Sequence, residues 1–141
     1  MQAPSEPHLV FIVGQERFGV PASAAAEVVS LPALVAVPGS PPHVNGVLAH
    51  RGEVVAVVDV QRLRGIGQSG STRAVWVRSG AGSLAFAADR IEGVETLSGT
   101  GEALSGDGCA KHFLGPFEGK SGPVHVIDAD GLMGFLSRTS R

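Results

Sequence analysis

The stretch Val37-Pro38-Gly39-Ser40-Pro41-Pro42-His43-Val44-Asn45-Gly46-Val47-Leu48-Ala49-His50-Arg51-Gly52-Glu53-Val54-Val55-Ala56-Val57-Val58-Asp59 joins a stiff connection to a hairpin. Pro38, Pro41 and Pro42 remove backbone donors and fix φ, while Gly39 and Gly46 relieve the strain of so rigid a link. Two apolar runs, 46–50 and 54–58, flank Arg51-Gly52-Glu53, the pattern of two strands meeting at a tight turn that contains glycine. Arg51 stands at the tip, where solvent or a partner meets it. The stretch has no catalytic content of its own.

Similar hairpins lie on either side. Residues 9–13 and 17–21 alternate about a turn at Gly14-Gln15, and residues 73–78 and 83–87 do so about Gly80-Ala81-Gly82. Residues 94–97, 112–117 and 123–127 supply further strands. Between the first two hairpins, 22–29 is rich in Ala and predicts a short helix opening at Ser23, with Ala25, Val28 and Val29 on neighbouring surfaces. Asp59 is expected to cap a helical turn through Leu63 that stops at Gly65, and Asp128 to cap a helix running to about Leu136. The Gly- and Ser-rich segment 98–108 reads as a loop with only Ala103 and Leu104 to bury.

The chain also repeats itself. Val55-Ala56-Val57-Val58-Asp59-Val60-Gln61-Arg62-Leu63-Arg64-Gly65 matches Val124-His125-Val126-Ile127-Asp128-Ala129-Asp130-Gly131-Leu132-Met133-Gly134 in strand, Asp cap, helical Leu and closing Gly. Upstream, Phe11 and Trp76 open comparable hairpins, followed by Phe18-Gly19-Val20 and Leu84-Ala85-Phe86. Duplication explains the shared cap and stop better than a chance likeness among Val-rich strands. It favours two small, mostly antiparallel barrels, because closure removes exposed sheet edges, and lobes this small need to pack together for a sufficient core.

Size and composition agree. At 141 residues the chain fits one unit or two small lobes, and 20 glycines with only 5% aromatic residues suit many short strands joined by turns. A net charge of −2 without any basic block gives no linear stripe for nucleic-acid phosphates. Cys109 is the only cysteine, which rules out an intramolecular disulfide and fits a reducing compartment. Neither a basic start followed by an apolar run nor an apolar stretch of membrane-spanning length is present, so a cytoplasmic protein is expected.

Chemistry-bearing residues do not converge in the sequence. The glycine clusters 80–82 and 99–101 lack the nucleotide-binding spacing and a phosphate-binding Lys. His8, His43, His50, His112 and His125 show no metal-ligand spacing, leaving only a spatial cluster such as His50 with His125. Cys109 beside Lys111 and His112 is the nearest approach to an activated nucleophile, and Ser105 has no nucleophile-elbow sequence. Asp59, Asp128 and Asp130 read as cap and turn residues, and Asp89 as a turn cap or a local partner of Arg90 rather than an acid working with Glu92. Binding is the simpler use of such a fold. Arg51 offers directed donors beside the permissive Gly52, and Glu27 with Val28 suggests an apolar anchor with a polar rim.

These residues carry a resemblance. From Leu9-Val10-Phe11 and Phe18-Gly19-Val20-Pro21, through Ala26-Glu27-Val28-Val29 and the 37–48 stretch, to Arg51-Gly52-Glu53-Val54-Val55, Val57-Val58-Asp59, 88–94 and Val126-Ile127-Asp128, the chain resembles the CheW-like chemotaxis coupling family. The resemblance implies a mostly β fold of two intertwined SH3-like five-stranded β-barrel subdomains with short helices. It spans 8–137 as one domain, with subdomains at about 18–70 and 75–127, termini completing the barrels, and a polar arm over 1–7.

It also implies a non-enzymatic scaffold, without cofactor or metal. Such a scaffold couples the cytoplasmic tip of methyl-accepting chemoreceptors to the regulatory domain of a CheA-type histidine kinase, in a membrane-associated array. Arg51 and Gly52 would shape a receptor groove between the subdomains, and Glu27 with Val28, at the end of the first helix, would contribute to receptor binding. Residues that dock the kinase are not identified. The chain departs from the family pattern at Ala49, where Asn is frequent, and at His50, where Leu is usual. Two alternatives stay open: a specialised or decoupled regulator that sequesters a kinase or receptor in a non-flagellar pathway, and a small-molecule-binding or enzymatic barrel lined by His50, Cys109, His112 or His125.

Overall fold

Strands buried on both faces form the centre of this molecule. In Arg73–Ser79 every residue from Ala74 to Val77 is buried, and in His8–Val13 so are four consecutive residues from Val10 to Val13, giving unbroken apolar runs where a one-sided sheet would alternate. The computed structural model describes residues 1–30, 44–50, 52–63, 73–80, 82–103 and 111–139. Their elements are β1 (His8–Val13), β2 (Glu16–Pro21), β3 (Ala25–Ser30), β4 (Val44–His50), β5 (Glu53–Val58), α1 (Val60–Leu63), β6 (Arg73–Ser79), β7 (Gly82–Ala88), β8 (Arg90–Glu95), β9 (Glu102–Ala103), β10 (Phe113–Gly119), β11 (Gly122–Ile127) and α2 (Ala129–Thr139).

Two sheets result. One has the order β8-β1-β2-β11-β10-β9 and the other β3-β6-β7-β5-β4. Apart from the short β9 they are copies. Each has an antiparallel central hairpin, an antiparallel strand outside its first member, a parallel strand beside its second, and an antiparallel partner beyond. The registers coincide: Val57 lies opposite Ala85 as Val126 lies opposite Gly19, each two residues before an Asp that opens a helix. Following the ladder outward aligns Trp76 with Val10 and Val28 with Val94. The duplication seen in sequence is real, with the hairpins matched one residue away from a Phe11–Trp76 alignment. The protein is mostly β, with its curled sheets forming two SH3-like barrel subdomains.

Three cores follow from the alternation of side chains. Val29, Leu48, Val55, Val57, Trp76 and Ala85 fill the interior of the five-stranded sheet, while Val10, Leu97, Phe117, Val124 and Val126 fill that of the six-stranded one. The large side chain changes strand between them, Trp76 with Leu48 in one and Val10 with Phe117 in the other, so the cavities stay filled. The opposite faces meet in a shared core. There Phe11, Phe18, Val75, Val77, Phe86 and Phe113 pack with Val60 of α1 and Leu132 and Leu136 of α2.

Both Asp caps are present. Asp59 Oδ1 accepts from the Gln61 and Arg62 amides at 3.0 and 3.3 Å, and Asp128 Oδ1 accepts from the Gly131 amide at 3.2 Å. The stop at Gly65 falls outside the described residues. No helix among the described residues is long and apolar enough to cross a membrane.

Two local expectations are corrected, and a third residue gains a contact. Residues 25–30 form strand β3, not a helix: Glu27, Val28 and Val29 lie opposite Trp76, Val75 and Ala74, and pairing with burial of Val29 outweighs the local preference of the alanines. The segment after Leu97 is tied to the sheet by a bridge from Ser98 to Glu118 and by β9 on β10, and Ala103 is exposed rather than buried. Asp89 reaches beyond its own turn: its carboxylate accepts from the Gly14 amide at 2.6 Å and fastens the β1–β2 turn.

Candidate interaction surface

Glu27 and Val28 sit on β3, the outer strand of the five-stranded sheet. Their pairing with β6 shifts register between Ala25 and Glu27, so the strand carries a bulge. A bulged edge is a poor template for addition of another strand, so this edge is suited to side-chain contact instead. Val28 is 42% exposed although its cross-strand neighbour Val75 is wholly buried in the shared core. The apolar face between the barrels therefore emerges to solvent at Val28.

At the far edge, Gly52 turns the β4–β5 hairpin with φ +80°, a left-handed conformation that L side chains rarely adopt. Beyond its two chain neighbours no atom stands within 4 Å of where a Cβ would be, so the need for glycine there is conformational and not steric. Beside it, Val54 is 67% exposed and pairs with the exposed Ala49. Arg51 lies outside the described residues, so its proposed role is not located.

One side chain links the two regions. Arg78, on β6, donates its backbone amide to the Ala24 carbonyl at 2.8 Å, just before β3 begins. Its Nη2 donates to Glu53 Oε1 at 2.7 Å, next to Gly52, and its guanidinium lies 5.9 Å from the centroid of the Trp76 ring. The curl of the sheet thus brings the start of β3 and the tip of β4–β5 to opposite sides of one arginine. No sequence motif flags this; the only local signal is that Arg78 falls two residues after Trp76 on one strand, hence on the same face.

Among the described residues, several that were weighed for catalysis pack or pair within the fold. His112 stacks edge-on against Phe135 at 5.9 Å, with Nδ1 3.9 Å from Asp128, while His125 packs against Phe18 at 6.4 Å. Glu92 pairs with Arg17 at 2.9 Å. Glu95, which the sequence did not single out, is buried and accepts from the Lys120 amide at 2.7 Å, fastening the β10–β11 turn. Ser105 and Cys109 lie outside the described residues, and His50 contributes its backbone to β4 opposite Glu53. A hollow against β10 and β11 is lined by Pro116, Phe117, Glu118, Gly119, Gly122 and Pro123, and among these described residues Glu118 is the one that ionises. No group of three or more His, Cys, Asp or Glu among the described residues is placed to hold a metal ion.

Comparison with known proteins sharpens this. The family model for the CheW-like domain matches residues 7–133, from the start of β1 into α2. The chain belongs to the CheW-like domain family. Protein FrzA of Myxococcus xanthus is 31% identical over 138 residues, covering 92% of this CheW-like chain and 86% of FrzA. The crystal structure of the scaffolding protein TtCheW from Thermoanaerobacter tengcongensis matches with a TM-score of 0.76 at 19% identity, over 92% of this chain and 88% of that one, a likeness of fold. The CheW-like domain is a scaffold and adaptor module of chemotaxis-type signal transduction.

Proposed function

We propose that this CheW-like protein couples the cytoplasmic tip of a methyl-accepting chemoreceptor to the regulatory domain of a CheA-type histidine kinase, transferring no phosphoryl group itself. The observation that carries this reading is Val28: an aliphatic side chain 42% exposed, on a bulged edge strand, where the shared core of the two barrels reaches the surface. A receptor helix laid there gains apolar contact from Val28 and polar contact from Glu27. Arg51 and Gly52 complete the receptor surface at the hairpin tip. Packing of the receptor biases the arrangement of the bound kinase domain, which is how a protein without chemistry transmits a signal. The protein works in the cytoplasm, recruited to a membrane-associated array through these partners.

The test is reconstitution. Purified protein is expected to bind both a receptor tip fragment and a CheA-type regulatory domain, and to confer receptor-dependent control on kinase autophosphorylation. Arg51→Glu is expected to weaken receptor binding with an unchanged circular dichroism spectrum; equal affinity for both forms removes Arg51 from the site. A second reading has its own observation. Ala49 and Val54 form an exposed apolar pair beside the hairpin tip, at a position where the family often has Asn, which suits a specialised regulator that holds one partner without coupling. Binding without control of the kinase selects that reading.

A further inference from the structure

We propose that His112 and Asp128 form a proton-sensitive clasp on α2, which tightens when the imidazole of His112 takes up a proton. The clasp is a property of the fold itself and stands apart from the coupling role.

The pair stands at the root of the helix. His112 lies in the helical turn that opens β10, with 11% of its side chain exposed, and its carbonyl accepts from the Asp128 amide at 2.8 Å. Asp128 divides its carboxylate: Oδ1 accepts from the Gly131 amide at 3.2 Å, while Oδ2 lies 3.9 Å from His112 Nδ1. Both Oδ2 and Nδ1 lean over Gly131, where a Cβ would collide with each of them. The ring also packs against Phe135, one turn further along α2, at 5.9 Å. The imidazole is thus seated between the cap and a side chain of one helix. Asp59, the matching cap of α1, is wholly buried and turns Oδ1 to two amides, whereas the cap of α2 is half exposed and faces a titratable ring.

The direction of the response follows from the neighbours. A carboxylate beside Nδ1 favours the imidazolium, while near-burial of the ring and the partial positive charge at the start of α2 oppose it. The carboxylate is a full charge at the wet edge of the pair, and it prevails. Other charges stand further into solvent: Lys111 on the same turn and Asp130 on the first turn of α2 are both exposed. On the strands beside β10, Glu102 is exposed opposite Gly115, and His125 packs on Phe18. The folded chain then holds the proton more tightly than the unfolded one. The added stability is present on the acid side of the ordinary imidazole range, about pH 6.5, and is lost as the pH rises through it. Because α2 supplies Leu132 and Leu136 to the core that both barrels share, a clasp at its root governs how firmly that core is sealed.

The experiment follows the full chain by nuclear magnetic resonance between about pH 5.5 and 8, in the wild type and in the variants Asp128→Asn and His112→Asn. Asn is a good N-cap, so Asp128→Asn keeps the start of α2 and removes only the charge. The titration midpoint of the His112 ring protons is expected to lie higher in the wild type than in Asp128→Asn. Amide protection over α2, corrected for the intrinsic exchange rate, is expected to be about two- to fivefold greater at the acid end in the wild type, and both variants are expected to lose that difference. His8, His43, His50 and His125 titrate in the same range, so the result is read as the difference between forms. A midpoint in the wild type equal to or below that of Asp128→Asn overturns the proposal, as does α2 protection that stays flat with pH. A response that survives in His112→Asn places the proton elsewhere and overturns it too. Should one variant fail to fold, the other still removes one half of the pair and carries the same test.

Discussion

Phe11 of one sheet and Phe86 of the other stack at 6.3 Å with their planes 21° apart, and both are wholly buried. The contact crosses between the two copies of the repeated sheet, so each barrel's outer face is the other's core. Phe86→Ala is expected to destabilise the protein by about 3–5 kcal/mol. Because the shared core belongs to both sheets, urea unfolding followed by the fluorescence of the single tryptophan, Trp76, and by far-ultraviolet circular dichroism is expected to give one coincident transition. Two separate transitions would show barrels that fold independently.

Asp59 has its side chain bonded to two amides of α1, and it is wholly buried at the junction of β5 with the shared core. Asp59→Ala leaves those donors without their acceptor and is expected to cost about 1–2 kcal/mol. Asp128, exposed at the start of α2, accepts from the Gly131 amide at 3.2 Å, and Asp128→Ala is expected to cost less. The order of the two denaturation midpoints is the measurement.

Gly52 separates strain from crowding. With φ +80° and open space around it, Gly52→Ala is expected to cost about 1 kcal/mol of backbone strain, and Gly52→Asn less, since Asn tolerates the left-handed region. Thermal midpoints ranked wild type, Asn, Ala support a purely conformational role. Equal losses for both variants would point to a missing contact instead.

Gly101 poses the reverse case. A Cβ there would lie 2.6 Å from Gly115 Cα, a backbone atom that has no way to swing aside. Gly101→Ala is expected to push β9 off β10 and loosen the bridge between the N-terminal arm and this segment, where the Gly101 amide donates to the Met1 carbonyl at 2.9 Å. Amide hydrogen exchange is expected to rise over residues 1–3 and 98–103 while β6 and β7 remain protected.

Much of this architecture is written in local sequence. Gly14, Gly52 and Gly82 punctuate hairpins whose strands alternate with period two, and the repeated strand-Asp-helix block announced both caps and the duplication. Those signals are short-range: a turn, a cap and an alternation each need only a few neighbouring residues. What the residues alone left open is long-range. β2 pairs in parallel with β11, as Arg17 against Val124, and no local pattern announces a partner so distant in the chain. The strand identity of Glu27 and Val28 was set by Trp76 and Val75 across the ladder, against a run of alanines that reads as helix. The meeting of Ala24, Arg78 and Glu53 likewise depends on a sheet curling until β6 and β5 approach across β7. The amino-acid order by itself determined the strands, turns, caps and their duplication, because each is decided by nearby covalent geometry and burial pattern. Only the tertiary structure decided which edges face solvent and which side chains meet there, because closure of a sheet joins residues that no local preference connects.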